Sequence, residues 1–338
     1  MLCTDIYSAL SALLAAYPSD QIVVVKDENV VFESPYPAFS FAVSEPVKSL
    51  ETVSQVWDFL FAHGITRKGI VVAVGGGVLT DLTGFACATY KRGIGYVNIP
   101  TTLLAMIDAS SGGKTGINYH GLKNSIGVFA PPVQTLICPK WLATLPSEQF
   151  LSGFGEILKT GLIADAGLWH QVLQYDLDTM DIDALTPIIN TCVRVKEQIV
   201  AADPHEENVR KVLNLGHTFG HALEEMSFVH RTSSLRPLPH GYAVVYGLIA
   251  ELYLSVIRLG CPKEPLQQLT QIMLHHYGRP HCKCSDRTQL IALMQQDKKN
   301  ECTGQINCTL IRNIGDPVIN QVISVDEANE ALDYLFSL

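Results

Sequence analysis

The sequence predicts two parts: a Rossmann-like α/β domain over residues 1–145 and a helical domain over residues 146–338. Three observations carry this. Short apolar runs alternate with helical stretches in the first part, the pattern of a parallel sheet covered by helices. After Leu145-Pro146, apolar residues recur at helical spacing. With 338 residues, 47% hydrophobic and 17% charged, the chain can build two cores and is no disordered polymer.

The elements follow in order. Gln21 to Val25 reads as a buried strand, closed by the polar turn Lys26 to Asn29. Gly69 to Val74 is a second apolar strand that runs into Gly75-Gly76-Gly77, and a helix follows from about Leu79 to Lys91. Tyr96 to Ile99 is a short strand stopped by Pro100. Beyond residue 146, Ile188, Ile189, Cys192, Val195, Ile199 and Val200 mark one helix, and Val244, Leu248, Ile249, Leu252 and Val256 another. His230 to Pro239 reads as a loop.

The net charge of −9 argues against nucleic acid and anionic membranes as partners. Nine cysteines, with no Cys-x-x-Cys pair, suit free thiols in a reducing cytoplasm better than disulfides or structural zinc. Asp5 stands where a signal peptide would be basic. No apolar run is expected to reach the roughly 18 residues of a membrane span.

Three polar signatures point to chemistry. Asn214-Leu215-Gly216-His217 and Gly220-His221 place two histidines four apart on one helix face. Glu156 and Lys159 lie three apart upstream, where a surface ion pair is the plainer reading. Pro239-His240-Gly241 follows downstream. A glutamate and two histidines drawn from three segments would make a divalent-metal site with an open position. The Gly75-Gly76-Gly77 turn, between strand and helix, could admit a pyrophosphate at a helix N-terminus, although it is no G-x-G-x-x-G fingerprint. Metal plus dinucleotide points to redox chemistry at a hydroxyl. Ser110 to Gly116 is not a P-loop, because Asp108 holds the place of the required glycine. It is read as a flexible glycine loop that presents Lys114.

Several strings, in order, resemble the 3-dehydroquinate synthases among the sugar-phosphate cyclases. They are Gly75 to Phe85, Ala88 to Gly93, Ile99 to Ala105, Asp108 to Asn118, Leu145-Pro146, Glu156 to Lys159 and Leu213 to Ala222, and the similarity runs from about Glu45 to Lys299. The resemblance implies an NAD-binding α/β domain, a helical metal-binding domain and a homodimer. It implies conversion of 3-deoxy-D-arabino-heptulosonate 7-phosphate to 3-dehydroquinate and phosphate: oxidation of a ring hydroxyl, elimination of phosphate, re-reduction and ring closure. The metal, zinc or cobalt, would be held by Glu156, His217 and His240.

The resemblance also assigns roles one residue at a time. Asp108, Lys159, Lys196 and Glu206 would surround the reacting hydroxyls, and His221 would face the phosphate rather than the metal. Lys114, Asn124, Asn214 and Lys298 would line the anionic sugar phosphate. Arg92 would reach it from the neighbouring subunit, and Arg210 would fork its carboxylate. NAD would lie on Glu45, Lys48, Gly76, Gly77, Asp81, Thr101, Thr102, Lys114, Lys123 and Thr144.

Four features depart from the family pattern: a short stretch from Asn29 to Glu45, Thr80 for a usual glycine, Tyr242 for a usual glutamate, and about six extra residues in the 230–239 loop. Tyr242 is expected to tune the metal from behind its ligands. The alternatives are another sugar-phosphate cyclase, a glycerol-phosphate dehydrogenase-like enzyme, or a non-catalytic NAD- or metal-binding regulator. Retention of Arg210 and Lys298 favours a carboxylated substrate.

Overall fold

A computed structural model describes residues 1–229, 237–282, 284–297 and 304–338. The chain divides into two compact units, Met1–Pro146 and Ser147–Leu338.

The first unit contains α1 (Ile6–Leu14), β1 (Ile22–Asp27), β2 (Ala38–Phe41), α2 (Leu50–Ala62), β3 (Ile70–Gly75), α3 (Gly77–Thr89), β4 (Gly95–Pro100), β5 (Lys114–Tyr119), β6 (Leu122–Phe129) and β7 (Gln134–Thr135). Five strands form a parallel sheet in the order β2-β1-β3-β4-β7. Both faces are covered, which explains the continuous apolar runs. Val23, Val25 and Val71 pack in one core with Val53, Val56 and Leu60 of α2 and Leu82 and Phe85 of α3. Their neighbours Ile22, Val24, Ile70, Val72 and Val74 pack on the other side with Ile6, Leu10 and Leu14 of α1. Each such side chain stabilises the fold by about 1.5–3 kcal/mol when buried. Strand order reverses beside β1 and β3, and Gly75 to Gly77 lie at the carboxyl end of β3, where open α/β sheets bind ligands.

The structure corrects several boundaries. β1 runs on through Asp27, so the expected turn starts later; there the Asn29 amide donates to the Asp27 carboxylate (3.0 Å). The expected glycine loop at Ser110 to Gly116 ends early, because Lys114 opens β5, which pairs antiparallel with β6. Gly116 permits this pairing: a Cβ there would sit 2.7 Å from the Ile126 carbonyl oxygen. Between Asn29 and Glu45 lie β2 and the start of a 3-10 turn, Glu45–Val47.

The second unit holds α4 (Ser147–Ala164), α5 (Ala166–Gln174), α6 (Ile182–Ala202), α7 (His217–Val229), α8 (His240–Leu259), α9 (Glu264–Ile272), α10 (Arg287–Gln295), β8 (Ile306–Asn313), β9 (Asp316–Ile323) and α11 (Val325–Ser337). It is not wholly helical as expected, since β8 and β9 form an antiparallel hairpin. At its centre, α8 packs against α4, α7, α11 and β8. This helix corrects the membrane reading: its 20 residues are long and apolar enough to cross a membrane, yet it is mostly buried within the unit. Pro239 caps its start, and Gly260, at φ +69°, ends it in the left-handed conformation typical of helix C-termini.

Glycines set the approach of α8 to its neighbours. A Cβ at Gly241 would lie 1.7 Å from the Ser152 carbonyl oxygen of α4, and one at Gly247 would lie 1.9 Å from that of Gly216. Both contacts are backbone to backbone, so only glycine fits. They draw the first turns of α7 and α8 towards the middle of α4.

Candidate metal centre and cofactor cradle

These approaches bring three side chains together. Glu156 comes from the buried stretch of α4, His217 from the first residue of α7 and His240 from the first residue of α8. One ligand atom from each lies within 4.8 Å of the others. The Nε2 atoms of His217 and His240 stand 3.5 and 3.3 Å from Glu156 Oε1. Glu156 is 1% exposed, so no bulk water competes for its carboxylate.

The back side of each ring tests whether this group suits a metal. His217 Nδ1 lies 3.1 Å from the Leu215 carbonyl oxygen, and His240 Nδ1 lies 3.0 Å from Glu224 Oε2. Both contacts favour a proton on Nδ1, which in the neutral rings leaves the Nε2 lone pairs directed at the shared space. Metal-binding histidines are usually held in this way. The donor set of two imidazoles and one carboxylate suits zinc or cobalt and leaves further positions open.

Charge is balanced inside the group. Lys159, 2% exposed, pairs with Glu156 Oε2 one helical turn away. Burial disfavours the Glu156 carboxylate charge, but the Lys159 ammonium and then the His240 ring outweigh it and hold the group well below its usual range. Burial likewise opposes charge on His240, yet Glu224 and then Glu156 push its pKa up to about 10. A ligand role requires the neutral ring, so metal binding would release a proton here.

His221 lies beside this group. Its ring centroid is 5.1 Å from that of His217, and its Nδ1 lies 3.5 Å from Asp297 Oδ2. Asn214 Nδ2 donates to Glu206 Oε1 (2.9 Å). Arg210, 2% exposed, donates from Nη1 to the Pro204 carbonyl (2.6 Å). Asp203 organises this segment, accepting from the amides of Glu207, Asn208 and Arg210 at 3.0, 2.7 and 3.0 Å. Lys196 is buried on α6. Lys298 lies outside the described residues, as does most of the 230–239 loop.

Tyr242 departs from expectation. Its ring packs edge-on against Tyr277, with centroids 4.8 Å apart, and the acceptor behind His240 is Glu224 instead. Sequence reasoning missed the parts played by Glu224, Asp203 and the Leu215 carbonyl. The local signal for Glu224 was present: it stands seven residues after His217, two helical turns along the same face.

The first unit gathers the other residues. Lys48, 4% exposed, reaches Asp81 Oδ2 at 2.6 Å and Asn124 Oδ1 at 2.5 Å. Asn118 Nδ2 donates to Glu45 Oε1 (2.7 Å), and its Oδ1 accepts from the Asn124 amide (2.9 Å). Asn124, read as a substrate ligand, is therefore tied to the group read as the cofactor's. Gly76 caps α3 and Gly77 opens it. A Cβ at Gly77 would lie 2.8 Å from that of Ala109, and one at Gly76 would lie 3.1 Å from Thr102 Cγ2, so these glycines keep the turn open and close to its neighbours. The Thr101 amide donates to Gly75 O (3.0 Å), and Thr102 Oγ1 accepts from the Ala105 amide (3.2 Å). Asp108 lies in the π-turn Ala105–Ala109, Lys123 lies on β6, and Thr144 ends the turn Pro139–Thr144. Arg92 is exposed at φ +66° beside Lys91, whose ammonium holds the Ile65 carbonyl (2.6 Å).

A second Asp/His group among the described residues, Asp178 with His275 and His276, has ion-pair distances of 3.9 and 3.7 Å. Asp178 and His275 are about 70% exposed, and such surface pairs contribute little.

Known proteins resemble this chain along most of its length. The model of the 3-dehydroquinate synthase N-terminal domain matches residues 38–152, and that of the C-terminal domain matches residues 153–300. The 3-dehydroquinate synthase of Parabacteroides distasonis is 40% identical over 99% of this chain and 96% of its own. That of Halorhodospira halophila is 38% identical over 85% of this chain and 80% of its own. Among solved structures, the 2-epi-5-epi-valiolone synthase ValA from Streptomyces hygroscopicus, with NAD+ and Zn2+ bound, superposes with a TM-score of 0.81 at 27% identity, covering 100% of this chain and 96% of its own. A 2-deoxy-scyllo-inosose synthase with carbaglucose-6-phosphate, NAD+ and Co2+ shares the fold with a TM-score of 0.81 at 22% identity, covering 96% of this chain and 94% of its own. The two matched models span most of the sequence, and the chain belongs to the 3-dehydroquinate synthase family.

Proposed function

We propose that this chain converts 3-deoxy-D-arabino-heptulosonate 7-phosphate to 3-dehydroquinate and phosphate, a carbon–oxygen lyase reaction that uses NAD and zinc or cobalt. The observation that carries the metal assignment is the convergence of Glu156, His217 and His240, each histidine backed at Nδ1 by an acceptor. When bound, NAD+ and the metal supply hydride acceptance and polarisation of a hydroxyl. The chain's own residues do the rest. Lys159, buried beside the ligands, holds charge next to the reacting hydroxyls, with Lys196, Glu206 and Asp108 as its partners in proton transfer. Arg210 reads the carboxylate, and Asn214, His221, Lys114, Asn124 and Lys298 take the remaining polar groups. Lys48, Asp81, Glu45, Lys123, Thr101, Thr102, Thr144 and the Gly76-Gly77 turn hold the dinucleotide. In this reading the dinucleotide is held by residues 1–145 and the metal by residues 146–338.

The working form is a homodimer, with Arg92 reaching the neighbouring subunit's substrate. Its exposure supports this, as do the exposed apolar side chains Leu122, Ile126, Val128 and Phe129 on β6. Free Cys87, Cys138, Cys192 and Cys308 fit a reducing cytoplasm.

The test is phosphate release from the heptulosonate with catalytic NAD+, compared with glucose 6-phosphate, which has no carboxylate. Release should stop with a chelator and return with zinc or cobalt. Equal turnover of glucose 6-phosphate would replace this reading with another sugar-phosphate cyclase.

A further inference from the structure

Glu251 lies in the middle of α8, is fully buried, and has no part in the reaction described above. Its carboxylate leaves its own helix. Oε2 accepts from the Gly216 amide at 2.5 Å and Oε1 from the Thr218 amide at 3.1 Å. These two amides flank His217. The first amides of a helix have no partner within it, and a carboxylate there satisfies them and opposes the helix dipole. The cap of α7 is thus supplied by another helix, 35 and 33 residues away in sequence.

The reach depends on backbone contact. Gly247 stands one turn before Glu251 on the same face of α8, and a Cβ at Gly247 would fall 1.9 Å from Gly216 O and 2.7 Å from Gly220 N. Leu248 closes the same contact from the other side, since a Cβ at Gly216 would lie 2.7 Å from Leu248 Cγ. Gly216 itself sits at φ +81°. The turn before α7 is therefore held at three points: the Gly247 notch, Leu248 and the Glu251 carboxylate. His217 Nδ1 takes its acceptor, Leu215 O, from this same turn. The direction of its Nε2 thus follows from where the turn is held.

We propose that Glu251 is a positioning residue for the metal centre: it fixes the Gly216–Thr218 turn, and through it the aim of His217, without touching metal or substrate. The inference rests on the metal reading of Glu156, His217 and His240.

The test uses the full-length chain and Co2+ as both ligand and reporter. Glu251→Gln keeps the volume but turns an amide N–H group towards a backbone N–H. It should weaken Co2+ binding about 10- to 100-fold, as loss of an outer-shell partner typically does. The visible bands of bound Co2+ should also shift, measured where circular dichroism shows a wild-type helical fold. Wild-type affinity and bands in a folded Glu251→Gln protein would overturn the proposal. If this variant does not fold, the wild type decides through hydrogen exchange. The Gly216 and Thr218 amides should exchange slowly in the metal-free chain and more slowly with Co2+; rapid exchange at both would overturn the proposal. Absence of Co2+ binding by the wild type, or binding unchanged in His240→Ala, would instead remove the metal reading on which the inference rests.

Discussion

The glycine turn after β3 and the crossing of α8 with α4 and α7 use the same device to different ends. In the first unit, Gly76 and Gly77 bring backbone close to Thr102 and Ala109 at the carboxyl edge of a parallel sheet. What this presents is main chain, from consecutive residues. In the second unit, Gly241 and Gly247 bring helices into backbone contact, and what is presented is side chains. His240 and Glu156 meet although 84 residues separate them. If the two sites act as proposed, the first arrangement should tolerate small displacement, because a backbone cradle has many equivalent contacts, and the second should not, because the helix positions would set the ligand geometry.

The largest effect should come from breaking the second arrangement at its charge. Glu156→Ala leaves the Lys159 ammonium buried without its carboxylate and should cost about 3–5 kcal/mol in denaturant unfolding, along with loss of metal binding. A loss under about 1 kcal/mol would mean that the pair is solvated in solution. Next in size is Gly247→Ala, whose Cβ has no space against Gly216 O. It should cost about 1–3 kcal/mol or more and weaken Co2+ binding, whereas Gly76→Ala, which meets only a methyl group at 3.1 Å, should cost less and act on NAD+ affinity. Equal losses in both variants would erase the contrast between the units.

A smaller and pH-dependent effect belongs to Asp203. Burial raises its carboxyl pKa, but the amides of Asn208, Arg210 and Glu207 outweigh this and hold it below the ordinary 3.8. A depressed carboxylate adds stability above its unfolded pKa and loses it as pH falls through the folded one. The stability gap between wild type and Asp203→Asn should therefore be constant near neutrality and close below about pH 4. A gap that widens in acid would contradict the assignment. The smallest effect should be that of Tyr242→Phe, which keeps the ring against Tyr277 and should change Co2+ affinity less than about twofold. A tenfold change would restore Tyr242 to the metal's surroundings.

How much could be read beforehand follows the same division. The strands Ile70 to Gly75 and Gly95 to Pro100 were legible because burial on both faces leaves unbroken apolar runs. Glu156, His217 and His240 were legible as a set drawn from three segments, but not the means of their convergence, which lies in two glycine contacts along α8. The role of Glu251 was illegible for that reason: nothing near it in sequence names a partner, whereas Glu224 at least shares a helix face with His217. The hairpin of β8 and β9 went unread because β8 is buried through Cys308 to Ile311 without period-two alternation. The Gly315 turn, at φ +81°, was the one local cue.

The central claim is that Glu156, His217 and His240 together hold one metal ion. X-ray absorption at the zinc edge of the loaded protein tests it most directly. The account predicts one zinc per chain, with two imidazole nitrogens at about 2.0–2.1 Å, oxygen in the remaining positions and one imidazole fewer in His240→Ala. A sulfur ligand, or a spectrum unchanged by that substitution, would contradict it.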